Sequence, residues 1–122
     1  MGCKRTRVVL RSRCDCGELM KTRKDMLEEF VAADPNDSFS RYALALELEK
    51  ADSRVEAAGE LREVIERDPD YVAAYYHLGR ILSRLGEVEE SRAVYQRGLE
   101  AATAAKDQRA RSEIQEALDM LD

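Results

Sequence analysis

The chain holds only two prolines, Pro35 and Pro69, and each follows an aspartate at the end of a segment whose apolar side chains have helical spacing. Because proline disfavours helical geometry in the residue before it, each Asp-Pro pair predicts the end of a helix. The interval between the two prolines is about 34 residues, the length of a unit of two helices that stacks on copies of itself. The spacing therefore predicts a repeating helical array.

Apolar side chains recur at intervals of three and four residues along most of the chain after residue 20. The pattern predicts six amphipathic helices, at about 21–33, 38–51, 54–67, 71–85, 87–104 and 107–121. Their connections are short, so neighbouring helices should pack antiparallel. The candidate N-caps are the pair Asn36-Asp37, the pair Asp52-Ser53, and Asp107. Gly86 suits a left-handed turn, since it has no Cβ to clash. The predicted fold class is all-α.

Part of this pattern occurs twice, because residues 72–105 align with residues 38–71 without a gap. A large and a small residue recur together, as Leu44-Ala45 and as Leu78-Gly79, and Ala57 matches Ser91. The pattern resembles the tetratricopeptide repeat (TPR), and the second copy is the better match. The matching positions in that copy are Tyr75, Leu78, Gly79, Leu82, Ser91, Tyr95 and Gly98. The resemblance implies an antiparallel helix-turn-helix TPR array, a fragment of a right-handed α-solenoid, in which small residues lie where helices cross closely.

The resemblance covers residues 38–105 and implies a division of the chain. The expected units are a half-repeat helix at 21–35, repeats at 38–71 and 72–105, and a capping helix at 107–121, all within one TPR domain at 21–122. The pattern departs at Thr103, where proline is expected, so the fifth helix should continue through that position. A single helix pair cannot bury its apolar face, and the flanking helices are expected to cover the two ends. In the first of them, the face predicted to be buried carries Met26, Leu27, Phe30 and Val31.

Residues 1–20 form a basic leader without a helical period, and the expectation is that they are disordered. Residues 1–24 carry eight basic and two acidic side chains, a net +6, which leaves −11 for the rest of a chain whose net charge is −5. An acidic body is a poor surface for nucleic acid, so no nucleic-acid partner is expected. All three cysteines lie in the leader, which has no secretory pattern, and this favours the cytoplasm. No apolar run is long enough to span a membrane, and no membrane association is expected.

Two hypotheses concern the leader itself. Its first six residues, Met1-Gly2-Cys3-Lys4-Arg5-Thr6, match the N-myristoylation template, and two lipid signals with basic charge could anchor a protein. An alternative function is therefore a membrane- or phosphate-associated regulator that acts through the leader. A second hypothesis places the native start at Met20 or Met26, so that residues 1–19 are not translated. The intact mass of the natively expressed protein tests it.

The residue types needed for catalysis are not brought together by the pattern. His77 is the single histidine and every cysteine lies in the leader, so no nucleophile–base pair is expected. Three leader thiols lack a fourth ligand for zinc, and no glycine-rich phosphate loop occurs. The expectation is a protein that is not an enzyme and has no cofactor and no metal.

The resemblance also implies a site, because the first helix of each TPR lines a concave groove. Transferred by alignment, the partner-binding groove residues are Phe39, Tyr42, Leu46, Tyr76, His77, Arg80 and Arg84, with Ala43, Glu49 and Ala73 beside them. Aromatic and apolar side chains next to two arginines could hold a peptide or helix, with the arginines pairing a carboxylate. The Lys and Asn positions of the TPRs that grip chaperone carboxylates are occupied differently here, so that clamp is not expected.

The predicted function is that of a protein–protein interaction adaptor for an unidentified protein or peptide. Two alternatives remain open at this stage. Phe39, Tyr42 and Leu46 could instead pack only against the helix at 21–33, or another copy of the chain could fill the groove and form a homo-oligomer. Deletion of residues 1–19 separates the groove from the leader as the carrier of function, and light scattering tests self-association.

Overall fold

Six helices follow one another along residues 22–121, the part of the chain that the computed structural model describes. They are α1 (Arg23–Ala33), α2 (Ser38–Lys50), α3 (Arg54–Arg67), α4 (Val72–Arg84), α5 (Val88–Ala104) and α6 (Gln108–Asp119). Every helix begins and ends within two residues of the bounds predicted from the apolar spacing. Each helix packs against the next along the chain, and α6 also contacts α4. The described part of the chain is therefore an all-α array of successive helix pairs.

The connections are of two kinds. After α1 and α3 the chain turns at Asp34-Pro35 and Asp68-Pro69, and the two aspartates share one backbone geometry, with φ of −143° and ψ of 86° and 80°. After α2, α4 and α5 the turn passes through a left-handed residue, which is Asp52 (φ 63°), Gly86 (φ 85°) or Lys106 (φ 60°). In each of these three turns the following amide donates to a carbonyl five residues back, as in a Schellman motif. The left-handed geometry predicted at Gly86 is confirmed, and two non-glycine residues adopt it as well.

Side-chain capping follows the prediction at two of the three positions named. The carboxylates of Asp37 and Asp107 accept from the amides of Ser40 and Ala110, which stabilises the first turns of α2 and α6. The N-cap residue of α2 is Asp37, and the side-chain oxygen of Asn36 accepts from Arg67 instead. At Asp52-Ser53 the predicted N-cap position is confirmed at Ser53, but the predicted side-chain hydrogen bond is absent. Asp52 lies in the left-handed turn.

The core is built from small residues at helix crossings and large residues between them. Ala45 and Ala57 are fully buried where α2 meets α3, and Gly79 and Ser91 occupy the same positions in α4 and α5. The Ser91 hydroxyl donates to the Gly79 carbonyl at 2.6 Å, so the crossing is close enough for a direct hydrogen bond. Tyr95 packs directly over Gly79. The spacing of small residues that suggested stacked helix pairs thus has a direct packing role.

The first helix is less buried than its sequence predicts. Leu27 is buried and Val31 packs against the core, but Met26 and Phe30 are 43% and 56% exposed. Arg23 stands where α3 has Ala57 and α5 has Ser91, and it pairs with Glu47 at 3.3 Å. No helix within residues 22–121 packs on that side of α1, so half of the predicted apolar face remains open.

The last helix starts two residues later than the spacing of the two earlier repeats would place it. Because no proline stops it at Thr103, α5 continues to Ala104, as predicted. The step from the start of α4 to the start of α6 is therefore two residues longer than the step from the start of α2 to the start of α4. With this spacing Ile114 and Leu118 correspond to Leu78 and Leu82, and Ile114 is fully buried against α5. Helix α6 thus takes the place next to α5 that α4 takes next to α3.

Candidate functional site

Helices α2, α4 and α6 line a common groove that contains two adjoining clefts. The first cleft has a volume of about 580 Å³ and lies between α4 and α6, with Tyr95 of α5 beneath it. The second has a volume of about 330 Å³, lies nearer the start of α4, and also reaches Tyr42 of α2. Tyr76 and Glu113 line both clefts. A single extended or helical segment could therefore contact both.

An aromatic cluster forms one wall of the second cleft. The ring of Tyr42 lies 5.2 Å from that of Tyr71 and 5.4 Å from that of His77, between ring centroids. Tyr76 contacts the other side of His77 at 5.4 Å, in an edge-on arrangement. Rings at these distances attract one another beyond the gain from burial, so the cluster is held in place by its own contacts. One of the open alternatives was that Tyr42 packs only against α1, and its ring contacts with α4 contradict that alternative.

His77 is a half-buried base in the middle of this cluster. Burial lowers its pKa below the ordinary 6.5, and the positive charge of Arg80 lowers it further, whereas Glu49 and Glu113 oppose the shift. The imidazole is therefore neutral near pH 7. Its Nδ1 atom is buried and has no hydrogen-bond partner. His77 lines the second cleft, and a neutral imidazole has one nitrogen that donates and one that accepts a hydrogen bond.

Two arginines at the other end of α4 share one carboxylate. Arg80 and Arg84 each donate to the same oxygen of Glu49, Oε2, at 3.2 Å. The guanidinium of Arg80 also lies 5.8 Å from the centre of the Tyr76 ring, a favourable cation–π distance. Burial opposes the charge of Arg80, but Glu49 and Tyr76 together raise its pKa above the ordinary value. Arg80 therefore keeps its positive charge, and Glu49 orients both guanidinium groups.

The structure brings together most of the groove residues predicted from the sequence. Tyr42, Tyr76, His77, Arg80 and Arg84 all line one or both clefts. Phe39 and Leu46 line neither, although Phe39 is 67% exposed and Leu46 is half-buried. Sequence reasoning missed the side of the groove formed by α6, which carries Arg109, Glu113, Glu116 and Met120. An alignment of α6 with α4, at an offset two residues longer than the repeat, would have identified α6 as a groove helix.

The described part of the chain contains neither a metal-binding cluster nor a membrane-spanning helix. Within residues 22–121 no three His, Cys, Asp or Glu side chains lie close enough together to hold a metal ion. None of the described helices is long and apolar enough to cross a membrane. The three cysteines and the Met-Gly-Cys motif of the leader lie outside the described residues.

Comparison with known proteins identifies relatives of this fold. A TPR repeat-containing protein of Pseudomonas aeruginosa, PA0015, is 28% identical over 96 residues, which are 79% of this chain and 91% of the relative. The solution structure of a tetratricopeptide repeat domain protein from Salinibacter ruber is 40% identical, with a TM-score of 0.69, and covers 73% of this chain and 90% of its own. The solution structure of BPP2914 from Bordetella parapertussis is 27% identical, with a TM-score of 0.72 and coverages of 84% and 89%.

A family model described as tetratricopeptide repeat matches residues 48–118, from the end of α2 to the end of α6. The match includes α6, in agreement with the contacts that α6 makes with α4 and α5. It extends over more than half of the chain, and the chain therefore belongs to the tetratricopeptide repeat family.

Proposed function

We propose that this chain is a protein–protein interaction module that holds a segment of a partner protein in the groove of α2, α4 and α6. The observation that carries the proposal is the pair of adjoining clefts, which combine aromatic and apolar walls with two oriented arginines. Sites of this kind bind through a few anchoring side chains placed in pockets, with polar groups around them. The proposal includes no catalytic step.

The same proposal includes a division into repeats at 38–71 and 72–105, with α1 before them and α6 after them. Two features support this division. The Asp-Pro turns that precede α2 and α4 share one backbone geometry, and equivalent small residues occupy the α2–α3 and α4–α5 crossings. In this division the groove needs α6 as its third wall.

Affinity capture followed by mass spectrometry tests the proposal. The bait is the full chain, and the test variant combines Tyr76→Ala with Arg84→Glu, which changes both clefts. The expected result is a set of partners that the wild-type protein retains and the variant loses. A matched control is Arg92→Glu, a charge reversal on α5 that lines neither cleft.

Circular dichroism must show that both variants remain helical. If the groove variant and the control retain the same partners as the wild type, the groove is not the binding surface. Light scattering on the same samples separates partner binding from self-association, because a second copy in the groove would make the wild-type mass depend on concentration.

A further inference from the structure

The first cleft is lined by two positive and two negative side chains that do not pair with each other. Arg80 and Arg84 come from α4, and Glu113 and Glu116 come from α6. Within residues 22–121, neither arginine forms an ion pair with either of these glutamates. Opposite charges that line one cleft without contact leave room for a bound group between them.

The arginines keep hydrogen-bonding capacity beyond their contact with Glu49. A guanidinium has five N–H donors, and both groups direct a donor to one carboxylate oxygen. Glu49 is 11% exposed, whereas the Arg84 side chain is 51% exposed and open to the cleft. One buried carboxylate thus orients two cations and leaves the group with a net positive charge. An incoming carboxylate could be held by both arginines.

The two glutamates of α6 form fewer ion pairs than the two arginines do. Among the described residues Glu113 forms an ion pair only with Arg109, one turn earlier on the same helix, at 3.4 Å. The side chain of Glu116 forms no hydrogen bond or ion pair within the described residues. The rest of the lining is mostly apolar and includes Ala117, Leu121 and the buried ring of Tyr95. Walls of this kind exclude water and strengthen attraction to a charged ligand.

We infer that the first cleft recognises a protein segment with both an acidic and a basic side chain, the acidic one held by Arg80 and Arg84 and the basic one by Glu113 and Glu116. An apolar side chain between them would contact Tyr76 and Leu121. A purely acidic or purely basic segment would leave one charged row facing a like charge. Phosphate groups of a nucleic acid or a membrane are disfavoured for the same reason, since two carboxylates line the site. This inference rests on the proposed function and specifies the chemistry of its partner.

Selection from a library of randomised peptides displayed on phage tests the inference with a defined probe. The full chain is immobilised, and retained sequences are compared between the wild type, Arg84→Glu, Glu116→Lys and the control Arg92→Glu. The wild type should enrich sequences with an acidic and a basic residue around an apolar one. Arg84→Glu should lose the acidic enrichment, Glu116→Lys should lose the basic enrichment, and Arg92→Glu should change neither.

A synthetic peptide from the wild-type selection gives the quantitative arm. Each single reversal should weaken its binding by about tenfold or more, as expected for the loss of a charged hydrogen bond. The double variant Arg84→Glu with Glu116→Lys should prefer the same peptide with its acidic and basic residues exchanged. If a reversal variant unfolds, Arg84→Gln and Glu116→Gln replace it in the same comparison.

The outcomes separate the two proposals. Peptides that bind with the same sequence preference in every variant would overturn the charge assignment and leave groove binding intact. If no peptide is retained by any form of the protein, both the proposed function and the inference fail. The inference would also be contradicted if Arg84→Glu lost the acidic enrichment while Glu116→Lys kept the basic enrichment. That result would show a site for carboxylates in which α6 has no role.

Discussion

Gly79 and Gly98 are residues at which a single added carbon atom would meet a neighbouring side chain. A Cβ at Gly79 would lie 2.7 Å from two atoms of the Tyr95 ring, and one at Gly98 would lie 2.7 Å from the Cβ of Tyr75. Gly59 is different, since it lies inside α3 and a Cβ there would meet nothing within 4 Å. An added Cβ is therefore unfavourable at Gly79 and Gly98, whereas Gly59 has room for it.

We predict that Gly79→Ala destabilises the fold and that Gly59→Ala stabilises it. The first change overpacks the α4–α5 crossing, which costs about 1–3 kcal/mol in the free energy of unfolding. The second removes a flexible residue from a helix interior and should add about 0.5–1 kcal/mol. Urea denaturation followed by circular dichroism measures both. A Gly79→Ala protein as stable as the wild type would show that the crossing is looser than described.

His77 should make the stability of the protein depend on pH in a specific direction. Its pKa is lowered in the folded state, mainly by burial and then by Arg80, so the unfolded chain binds the proton more readily. The contribution to stability is therefore complete above the unfolded value of about 6.5 and is lost as the pH falls towards the folded pKa. Glu49 and Glu113 act in the opposite direction but do not reverse the shift.

The measurement compares urea denaturation of the wild type and His77→Gln between pH 7.5 and pH 5. His77 is the only histidine, so the variant removes this titration while the carboxylates remain. The wild type should lose more stability than the variant as the pH falls. Parallel pH dependences in the two proteins would contradict the assigned direction of the pKa shift.

At the scale of whole helices, the two ends of the array differ in how they are closed. Helix α1 places Arg23 where a small residue would admit a crossing helix, and it leaves Met26 and Phe30 exposed. Helix α6 instead buries one apolar stripe and exposes polar residues on its other sides. The second core cluster, made of Tyr95, Ile114 and Leu121, exists only because α6 packs on α5.

We predict that Ile114→Ala lowers the free energy of unfolding by roughly 2–5 kcal/mol, because Ile114 is fully buried and the change leaves a cavity. Met120→Ala is the control on the same end of the chain. Its side chain is 84% exposed, so the change should stay within about 0.5 kcal/mol. Thermal or urea denaturation measures both. Similar effects of the two changes would mean that α6 is not held through its apolar stripe.

At the scale of the whole molecule, the groove is a product of stacking. Helices α2, α4 and α6 are far apart in sequence, and all three contribute side chains to the groove. Helix α2 contributes Tyr42 and Glu49, α4 contributes the histidine and the arginines, and α6 contributes the glutamates. The clefts form because antiparallel pairs stack in one direction and place every second helix on the same face.

Much of this architecture could be predicted from the sequence. The Asp-Pro pairs and the apolar period located all six helices, because local backbone preference and apolar spacing act over a few residues. The interval between the two prolines led to the resemblance to the tetratricopeptide repeat, and that resemblance implied the groove residues of α2 and α4. The same interval failed at α6, because α5 is longer and shifts the period by two residues.

The sequence by itself therefore determined the helices and their order, because those properties depend on local spacing and repetition, and its resemblance to the tetratricopeptide repeat pointed to α4 as a groove helix. Only the tertiary structure decided which charges share a cleft. The approach of Glu113 and Glu116 to the cleft of Arg80 and Arg84 depends on where α6 packs. The hydrogen bonds from both arginines to Glu49 depend on the distance between α2 and α4. These distances are set by packing between helices, which no local pattern of residues specifies.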